Sequence, residues 1–252
     1  MTSDTLLAAL DLPTSSRVDQ RVPKKLLLEN GAVTAADKRH INEGVEDLLW
    51  LAVLKPATVG VPEYRDDVRE YLEIAVLRLT LRSAAKMPRL VELLHRAIPY
   101  PLLLLTERGE WSELSAAHKR WSQGEAGKAV LEGDVVAVEW DAKRDGERWP
   151  AFHNGLALGR QPRTTLYALY QGWIDTLLAL TAARMTGVFA VATNAEQATT
   201  RHDALRECAR LDAEIARLRA AAARERQMAR QMELNLELKR VEAIQVAVRT
   251  KL

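Results

Sequence analysis

The C-terminal segment carries the most regular hydrophobic pattern in the chain. From about Thr200 to Leu252 there is neither Pro nor Gly, and Arg, Glu, Ala, Gln and Leu dominate, a composition typical of a long exposed helix or a coiled coil. Apolar side chains first follow the alternating four- and three-residue spacing of a coiled coil, at Ala204, Cys208, Leu211, Ile215, Leu218 and Ala222. The spacing is lost after Ala223 and returns on a shifted face, at Leu234, Leu238, Val241, Val248 and Leu252.

This pattern predicts either one long helix with a stutter or a helical hairpin folded near Ala223 to Arg230. We favour the continuous helix, because that stretch contains no residue typical of a turn. A helix of this length cannot bury its apolar stripe alone, so it packs on another chain, on a second copy or on itself. The predicted partner-binding residues are Leu211, Ile215, Leu218, Leu234, Leu238 and Val241. The alternative for the same residues is an intramolecular hairpin packed on the helix predicted from Thr165 to Met185.

Three earlier helices are predicted. Thr34, with Asp37 three residues later, is typical of a capped start, and the helical spacing continues as far as Leu54. Pro88 belongs to the first turn of a second helix, which ends at Ile98-Pro99. A third helix begins after Thr164 or Thr165 and ends before Gly187.

Strands are predicted between these helices. The segment Tyr71 to Leu81 is apolar on both faces, as in a buried strand. Further strands are expected at 101–105, 111–118 and 135–140, with a tight hairpin turn at Arg108-Gly109 and a polar linker over 141–150. The predicted fold class is α+β: a small, mostly antiparallel sheet with flanking helices, followed by a helical segment and a long C-terminal coiled-coil-like helix. The predicted divisions are an α/β domain over 1–145, a linker and helix over 146–195, and the long C-terminal helix or helical hairpin over 196–252.

Composition and charge are those of an ordinary globular protein, with 48% hydrophobic and 28% charged residues in 252. The net charge of +2 is unevenly distributed, because residues 201–252 carry 12 Lys/Arg against 8 Asp/Glu. This is a weak electrostatic signal for nucleic acid or an acidic partner. The single cysteine, Cys208, excludes an intrachain disulfide. Without a signal-peptide pattern or a long apolar stretch, the sequence predicts a cytoplasmic protein with no membrane contact.

Motifs with known chemistry are incomplete. Gly124 to Ala129 resembles the end of a phosphate-binding loop, but Ser122 stands where a glycine is needed and Ala129 replaces the magnesium-binding Ser/Thr. No pair of the five histidines has metal-ligand spacing, and His95 is expected to be a partly exposed helix residue. No serine lies in a nucleophile elbow. We therefore predict no cofactor, no metal and no catalytic residue as the leading interpretation.

One nuclease-like pattern provides an alternative catalytic site. The strand Val135 to Trp140 is followed by Asp141-Ala-Lys143, the Asp-x-Lys arrangement of metal-dependent restriction nucleases. Paired carboxylates would hold a divalent ion and the lysine would stabilise the attacking water. The residues of this alternative are Asp134, Glu139, Asp141 and Lys143. A charged linker after an edge strand explains the same residues without catalysis.

Arginines recur along the C-terminal segment. Arg217, Arg224 and Arg230 are the candidates for contact with nucleic-acid phosphates. Neighbouring glutamates such as Glu214 and Glu225 equally favour a solvated helix face with ordinary surface pairs.

The order of several short segments resembles a bacterial family of uncharacterised proteins, a domain-of-unknown-function family. The segments are Val22-Pro23-Lys24-Lys25, Leu54-Lys55-Pro56-Ala57-Thr58, Glu73-Ile74, Ala97-Ile98-Pro99-Tyr100-Pro101 and Gln231 to Lys239. The resemblance implies a setting: its members are typically encoded beside superfamily-2 helicases and DNA methyltransferases, in restriction-like or anti-phage gene clusters. It assigns no catalytic residue.

The expected function is therefore a non-enzymatic accessory subunit of a DNA-processing anti-phage defence complex, assembling with a helicase and/or DNA methyltransferase subunit through the C-terminal helix. The alternatives are a metal-dependent nuclease or a DNA-binding adaptor of the same system. A homo-oligomer built through the C-terminal helix is a further alternative.

Overall fold

The computed structural model describes residues 3–31, 34–83 and 85–252. The chain divides into two compact units, one ending at Leu177 and the other covering Leu178–Leu252. The division falls inside the helix Leu166–Thr186. The first unit therefore includes residues 146–177.

The first unit is built on a six-stranded sheet. Its strands are β1 (Arg17–Arg21), β2 (Val45–Leu54), β5 (Ile74–Leu81), β6 (Leu102–Arg108), β7 (Trp111–Trp121) and β8 (Ala129–Trp140), and they lie side by side in this order. Only β5 and β6 pair in parallel; the other neighbours are antiparallel. Two short strands, β3 (Tyr64–Arg65) and β4 (Glu70–Tyr71), form a separate pair. The predicted α+β class with a mostly antiparallel sheet is confirmed.

Seven α-helices precede the helix Leu166–Thr186 in the described part of this unit. They are α1 (Ser3–Ala9), α2 (Lys24–Asn30), α3 (Ala35–Gly44), α4 (Pro56–Val59), α5 (Met87–Ala97), α6 (Ala142–Asp145) and α7 (Trp149–Leu156). Helix α5 connects the parallel strands β5 and β6, as a crossover helix does. The helix predicted at Pro88 is confirmed, and Leu90, Leu93 and Leu94 bury its inner face in the core that it shares with the sheet.

The helix predicted to run from Thr34 to Leu54 is wrong in its second half. Thr34 and Asp37 do form the predicted capping box, but the helix ends at Gly44 and Val45 begins β2. Strand β2 lies between β1 and β5, so its continuous apolar run is that of a buried strand, which helical periodicity imitates. Gly44 also permits close packing of α5, since a Cβ there would lie 2.7 Å from Leu90 Cδ1.

The linker predicted over 141–150 is also wrong. Asp141 accepts hydrogen bonds from the backbone N–H groups of Lys143 and Arg144 and thereby caps α6. A 3-10 turn and α7 follow directly. The ring of Phe152 in α7 stacks on Trp140 with a centroid separation of 5.9 Å, so apolar contact covers the end of β8.

Long helices complete the chain. Helix α8 (Leu166–Thr186) begins beside Thr165, whose hydroxyl accepts the N–H of Ala168, and it ends before Gly187 as predicted. Helix α9 (Ala195–Arg224) is capped by Asn194, and α10 (Met228–Arg249) follows after three residues. None of the described helices is both long and apolar enough to span a membrane.

The continuous C-terminal helix is wrong: α9 and α10 form a hairpin. At the bend, Glu225 has extended backbone, and its Oε1 accepts the N–H groups of Arg226 and Gln227 at 2.8 and 2.9 Å. The Glu225 side chain thus binds the backbone of the turn that precedes α10. The bend contains no Gly, Pro, Asn or Asp, which explains why the sequence shows no turn signal.

Candidate functional site

The four residues of the nuclease alternative do not converge. Asp134 is exposed near the middle of β8, five residues from Glu139, which is roughly 16 Å along a strand. Asp141 is engaged as the cap of α6, and this role lowers the pKa of its carboxyl. Lys143 is exposed on α6. Among residues 3–31, 34–83 and 85–252, no three His, Cys, Asp or Glu side chains form a metal-ligand group.

Glu139 does have a carboxylate neighbour that the sequence did not reveal. Glu113 of β7 lies directly opposite Glu139 in the antiparallel register, so both side chains project from the same face of the sheet. Burial, and secondarily the charge of Glu139, raises the pKa of Glu113 to about 7. The like charge opposite makes this pair an electrostatically costly arrangement.

A lysine and a histidine are buried at the C-terminal end of α5. Lys119 is only 3% exposed and donates hydrogen bonds from Nζ to the carbonyls of His95 and Ile98. Burial lowers the pKa of Lys119 to about 7. His95 is completely buried and its Nε2 bonds Ser115 Oγ at 3.0 Å, so the predicted partial exposure is wrong. Burial, followed by the charge of Lys119, lowers the pKa of His95 to about 3, and the ring is neutral at physiological pH.

Lys119 also borders a cleft of about 190 Å³. The lining is aromatic and apolar with a few charged groups: Glu70, Leu72, Pro99, Tyr100, Pro101, Lys119, Arg120, Trp121, Gly127 and Ala129. Glu70 is paired with Arg65.

A directional hydrogen-bond network lies between β7 and α8. Gln171 donates from Nε2 to Asp175 at 2.9 Å, so its Oε1 is the acceptor for His118 Nε2 at 2.7 Å. His118 Nδ1 then accepts the Tyr71 hydroxyl at 2.5 Å. Burial raises the pKa of Tyr71. Because both ring nitrogens of His118 are engaged and their roles are fixed, this network orders the fold and presents no unengaged base.

The six predicted partner-binding residues lie in the seam of the hairpin. Leu211, Ile215, Leu218 and Val241 form a buried cluster, with Leu234 and Leu238 packed against it. The seam is closed by polar pairs between the helices, in which Arg219 bonds Glu242 at 2.7 Å and Gln245 bonds Asp212. The hairpin of the intramolecular alternative is therefore present within this chain, and a partner role for the six residues would require it to open.

The candidate phosphate-binding arginines are spread over the hairpin. Arg217 pairs with Glu214 at 3.5 Å and Arg230 with Glu225 at 3.9 Å. Arg224 is exposed at the end of α9. Arg226, also exposed, adds a further positive charge at the bend.

The outer side of α10 is the most apolar exposed helix face described. Met228, Met232 and Leu236 recur every four residues and are 76%, 62% and 58% exposed. Val246 extends the same side at 63%, whereas Val241 and Gln245, on the opposite side, are buried in the hairpin. A row of this kind is typical of an interaction surface.

Comparison with known protein families gives one match. The family model for a domain of unknown function, DUF4391, matches residues 10–244. The chain belongs to the DUF4391 family. The match covers nearly the whole sequence and includes most of both units, so the C-terminal hairpin is part of the DUF4391 domain. No curated protein and no solved structure matches the chain. The predicted resemblance to an uncharacterised family is confirmed.

Sequence reasoning missed Glu113, Lys119 and the outer face of α10 in this DUF4391 chain. Strand β7 mixes polar and apolar residues, so its pattern gave no signal that Glu113 and Lys119 are buried or half-buried. Their neighbours depend on strand pairing and helix packing, which a single sequence does not specify. The exposed apolar row on α10 was missed because a continuous helix would expose the residues that the hairpin buries in its seam. Those residues were therefore predicted to form the partner surface.

Proposed function

We propose that this DUF4391 protein is a non-enzymatic accessory subunit of a DNA-processing anti-phage complex, binding a helicase and/or DNA methyltransferase subunit through its C-terminal hairpin. The gene setting implied by the family resemblance supports the choice of partners. The observation that carries the proposal is the exposed apolar row Met228, Met232, Leu236 and Val246 on α10.

The row is suited to a partner helix. Residues at intervals of four lie on one side of a helix and fit the groove of another helix. Methionine side chains are flexible and adapt to the contour of a partner surface. Because the opposite side of α10 is already buried against α9, the hairpin can present this row without unfolding.

Co-purification tests the proposal. The tagged full chain is co-expressed with the helicase and the methyltransferase that the family resemblance implies as its gene neighbours. Met232→Glu and Leu236→Glu place a charge in the row, while Ala216→Glu places the same charge at an exposed position of α9. We expect the two α10 variants to lose the partner and Ala216→Glu to retain it, with all three chains equally helical by circular dichroism.

Two results would contradict the proposal. One is co-purification that is unchanged in both α10 variants. The other is a wild-type chain that forms only a homodimer or a monomer when both neighbours are present.

A DNA-binding adaptor is the second candidate, favoured by the cluster of Arg224, Arg226 and Arg230 at the exposed bend. Phosphate contacts release counterions, so binding to duplex DNA should weaken steeply as salt rises. Arg224→Ala together with Arg226→Ala should reduce the salt slope. A salt-independent affinity would exclude this candidate.

A further inference from the structure

Three oxygen-bearing side chains stand in a row across neighbouring strands of the sheet. Thr106 of β6 is directly opposite Glu113 of β7, and Glu113 is directly opposite Glu139 of β8. Side chains of directly opposite residues in antiparallel strands project from the same face, with Cβ atoms about 4.5–5.5 Å apart. The three therefore form a continuous row.

The row lies on the face of the sheet that α5 covers. Ser115, two residues beyond Glu113 in the same strand, bonds His95 of α5, and residues two apart in a strand share a face. Glu113 and Glu139 are only partly buried, so the row is open to solvent at its carboxylates. It is thus a half-covered position with access for a small ion.

Thr106 provides a second observation, independent of the two carboxylates, that indicates a bound ligand. Its side chain is completely buried, and its Oγ1 has no hydrogen-bond partner. A buried hydroxyl without a partner costs roughly 1–3 kcal/mol, and such groups in folded proteins usually mark a ligand, a water or an ion. The hydroxyl is next to the carboxylate-bearing Glu113, where a cation would satisfy both groups.

We propose that Thr106, Glu113 and Glu139 bind one hard divalent cation of the Mg²⁺ or Mn²⁺ type. Such ions prefer carboxylate and hydroxyl oxygens and retain several water ligands. The ion lies over Glu113, between the Thr106 hydroxyl and the Glu139 carboxylate, and waters on the open side complete its coordination. It also offsets the repulsion between the two glutamates.

This site goes beyond the proposed function and does not require it. Cation binding would stabilise the β6–β7–β8 end of the sheet whether or not the chain has a partner. A single proton shared between the two glutamates is the competing way to remove their repulsion, and the test separates the two.

The proposal is tested by titrating the metal-free full chain with Mn²⁺ alone. Binding is measured by calorimetry and by the electron paramagnetic resonance signal of free Mn²⁺. We expect one bound ion per chain. Glu113→Gln, which keeps the shape of the side chain, should weaken binding more than about tenfold, and Thr106→Val should weaken it by a smaller factor. Glu110→Gln, at an exposed position in the adjacent turn, should bind as the wild type does.

Circular dichroism establishes whether each variant is folded. If Glu113→Gln does not fold, Glu139→Gln, in the same row, is used in its place. Saturating Mn²⁺ should raise the unfolding temperature of the wild type and of Glu110→Gln, but not of Glu113→Gln. Absence of Mn²⁺ binding at millimolar concentration would overturn the proposal. So would equal binding by wild type and Glu113→Gln. Stabilisation by Glu113→Gln without any metal effect in the wild type would assign the row to a shared proton.

Discussion

Lys119 makes the hydrogen bond that Pro99 cannot make. In a continuing helix, the N–H of residue 99 would bond the carbonyl of His95, but proline has no N–H. The Nζ of Lys119, from β7, donates to that carbonyl and also to the carbonyl of Ile98. A single side chain of β7 therefore provides hydrogen bonds to two carbonyls at the C-terminal end of α5. These bonds couple the stability of the strand to that of the helix.

Replacing Lys119 should consequently weaken the fold. Lys119→Met keeps the length of the side chain but leaves two carbonyls without a donor, and each unsatisfied buried acceptor costs roughly 1–3 kcal/mol. Chemical denaturation measures the free energy of unfolding. Lys128→Met is the control, because Lys128 is exposed and pairs with Glu125 in its own loop. Equal stability of the two variants would show that Lys119 does not have this role.

The pH dependence of stability provides a second test of Lys119. Its pKa is about 7 in the folded chain against 10.5 in a solvated lysine. Between these values the unfolded chain binds a proton that the folded chain lacks, so raising the pH from 7 towards 10 favours the folded state. The slope from one such group approaches about 1.4 kcal/mol per pH unit. The difference in unfolding free energy between wild type and Lys119→Met should therefore increase over this range; a constant difference would contradict the lowered pKa.

Gly172 should be intolerant of alanine despite lying inside α8. Alanine normally stabilises a helix by about 1 kcal/mol relative to glycine. A Cβ at residue 172 would lie 2.6 Å from Gln161 Oε1 and 2.6 Å from Pro162 Cδ, and the proline ring cannot move aside. We expect Gly172→Ala to lower the unfolding temperature. Gly124→Ala, where a Cβ meets no atom within 4 Å, should leave it nearly unchanged.

The hairpin itself predicts a short distance between positions 219 and 242, where Arg219 and Glu242 are hydrogen-bonded. In a continuous helix, 23 residues would separate spin labels at these positions by about 35 Å. In the hairpin the helix axes are only about 10 Å apart. Pulsed electron paramagnetic resonance on labels at Arg219→Cys and Glu242→Cys distinguishes the two. A distance near 35 Å would contradict the hairpin and support the continuous helix.

The local signals in the sequence predicted much of the fold. The capping box at Thr34, the proline in the first turn of α5 and the turn at Gly109 each depend on neighbouring residues, and all are present in the structure. Strand β2 was mistaken for helix because a buried central strand has no alternating pattern. The bend at Glu225 was missed because it contains no Gly, Pro, Asn or Asp.

The candidate site could not be predicted to the same extent, because it depends on contacts between distant segments. Glu139 was identified from the strand before Asp141, but its neighbour Glu113 becomes visible only through the pairing of β7 with β8. The role of Lys119 depends on the packing of α5 against the sheet. The exposed row on α10 depends on which side of that helix α9 covers.

The central claim is that this DUF4391 chain is a subunit bound through the outer side of α10. The direct test is light scattering during size-exclusion chromatography, applied to the chain after co-expression with the helicase and the methyltransferase proposed as its partners. We expect a single species whose mass equals a defined stoichiometry of the chain and its partner, and we expect Leu236→Glu to abolish this species. Separate elution of the wild-type chain, with the neighbours in other fractions, would contradict it.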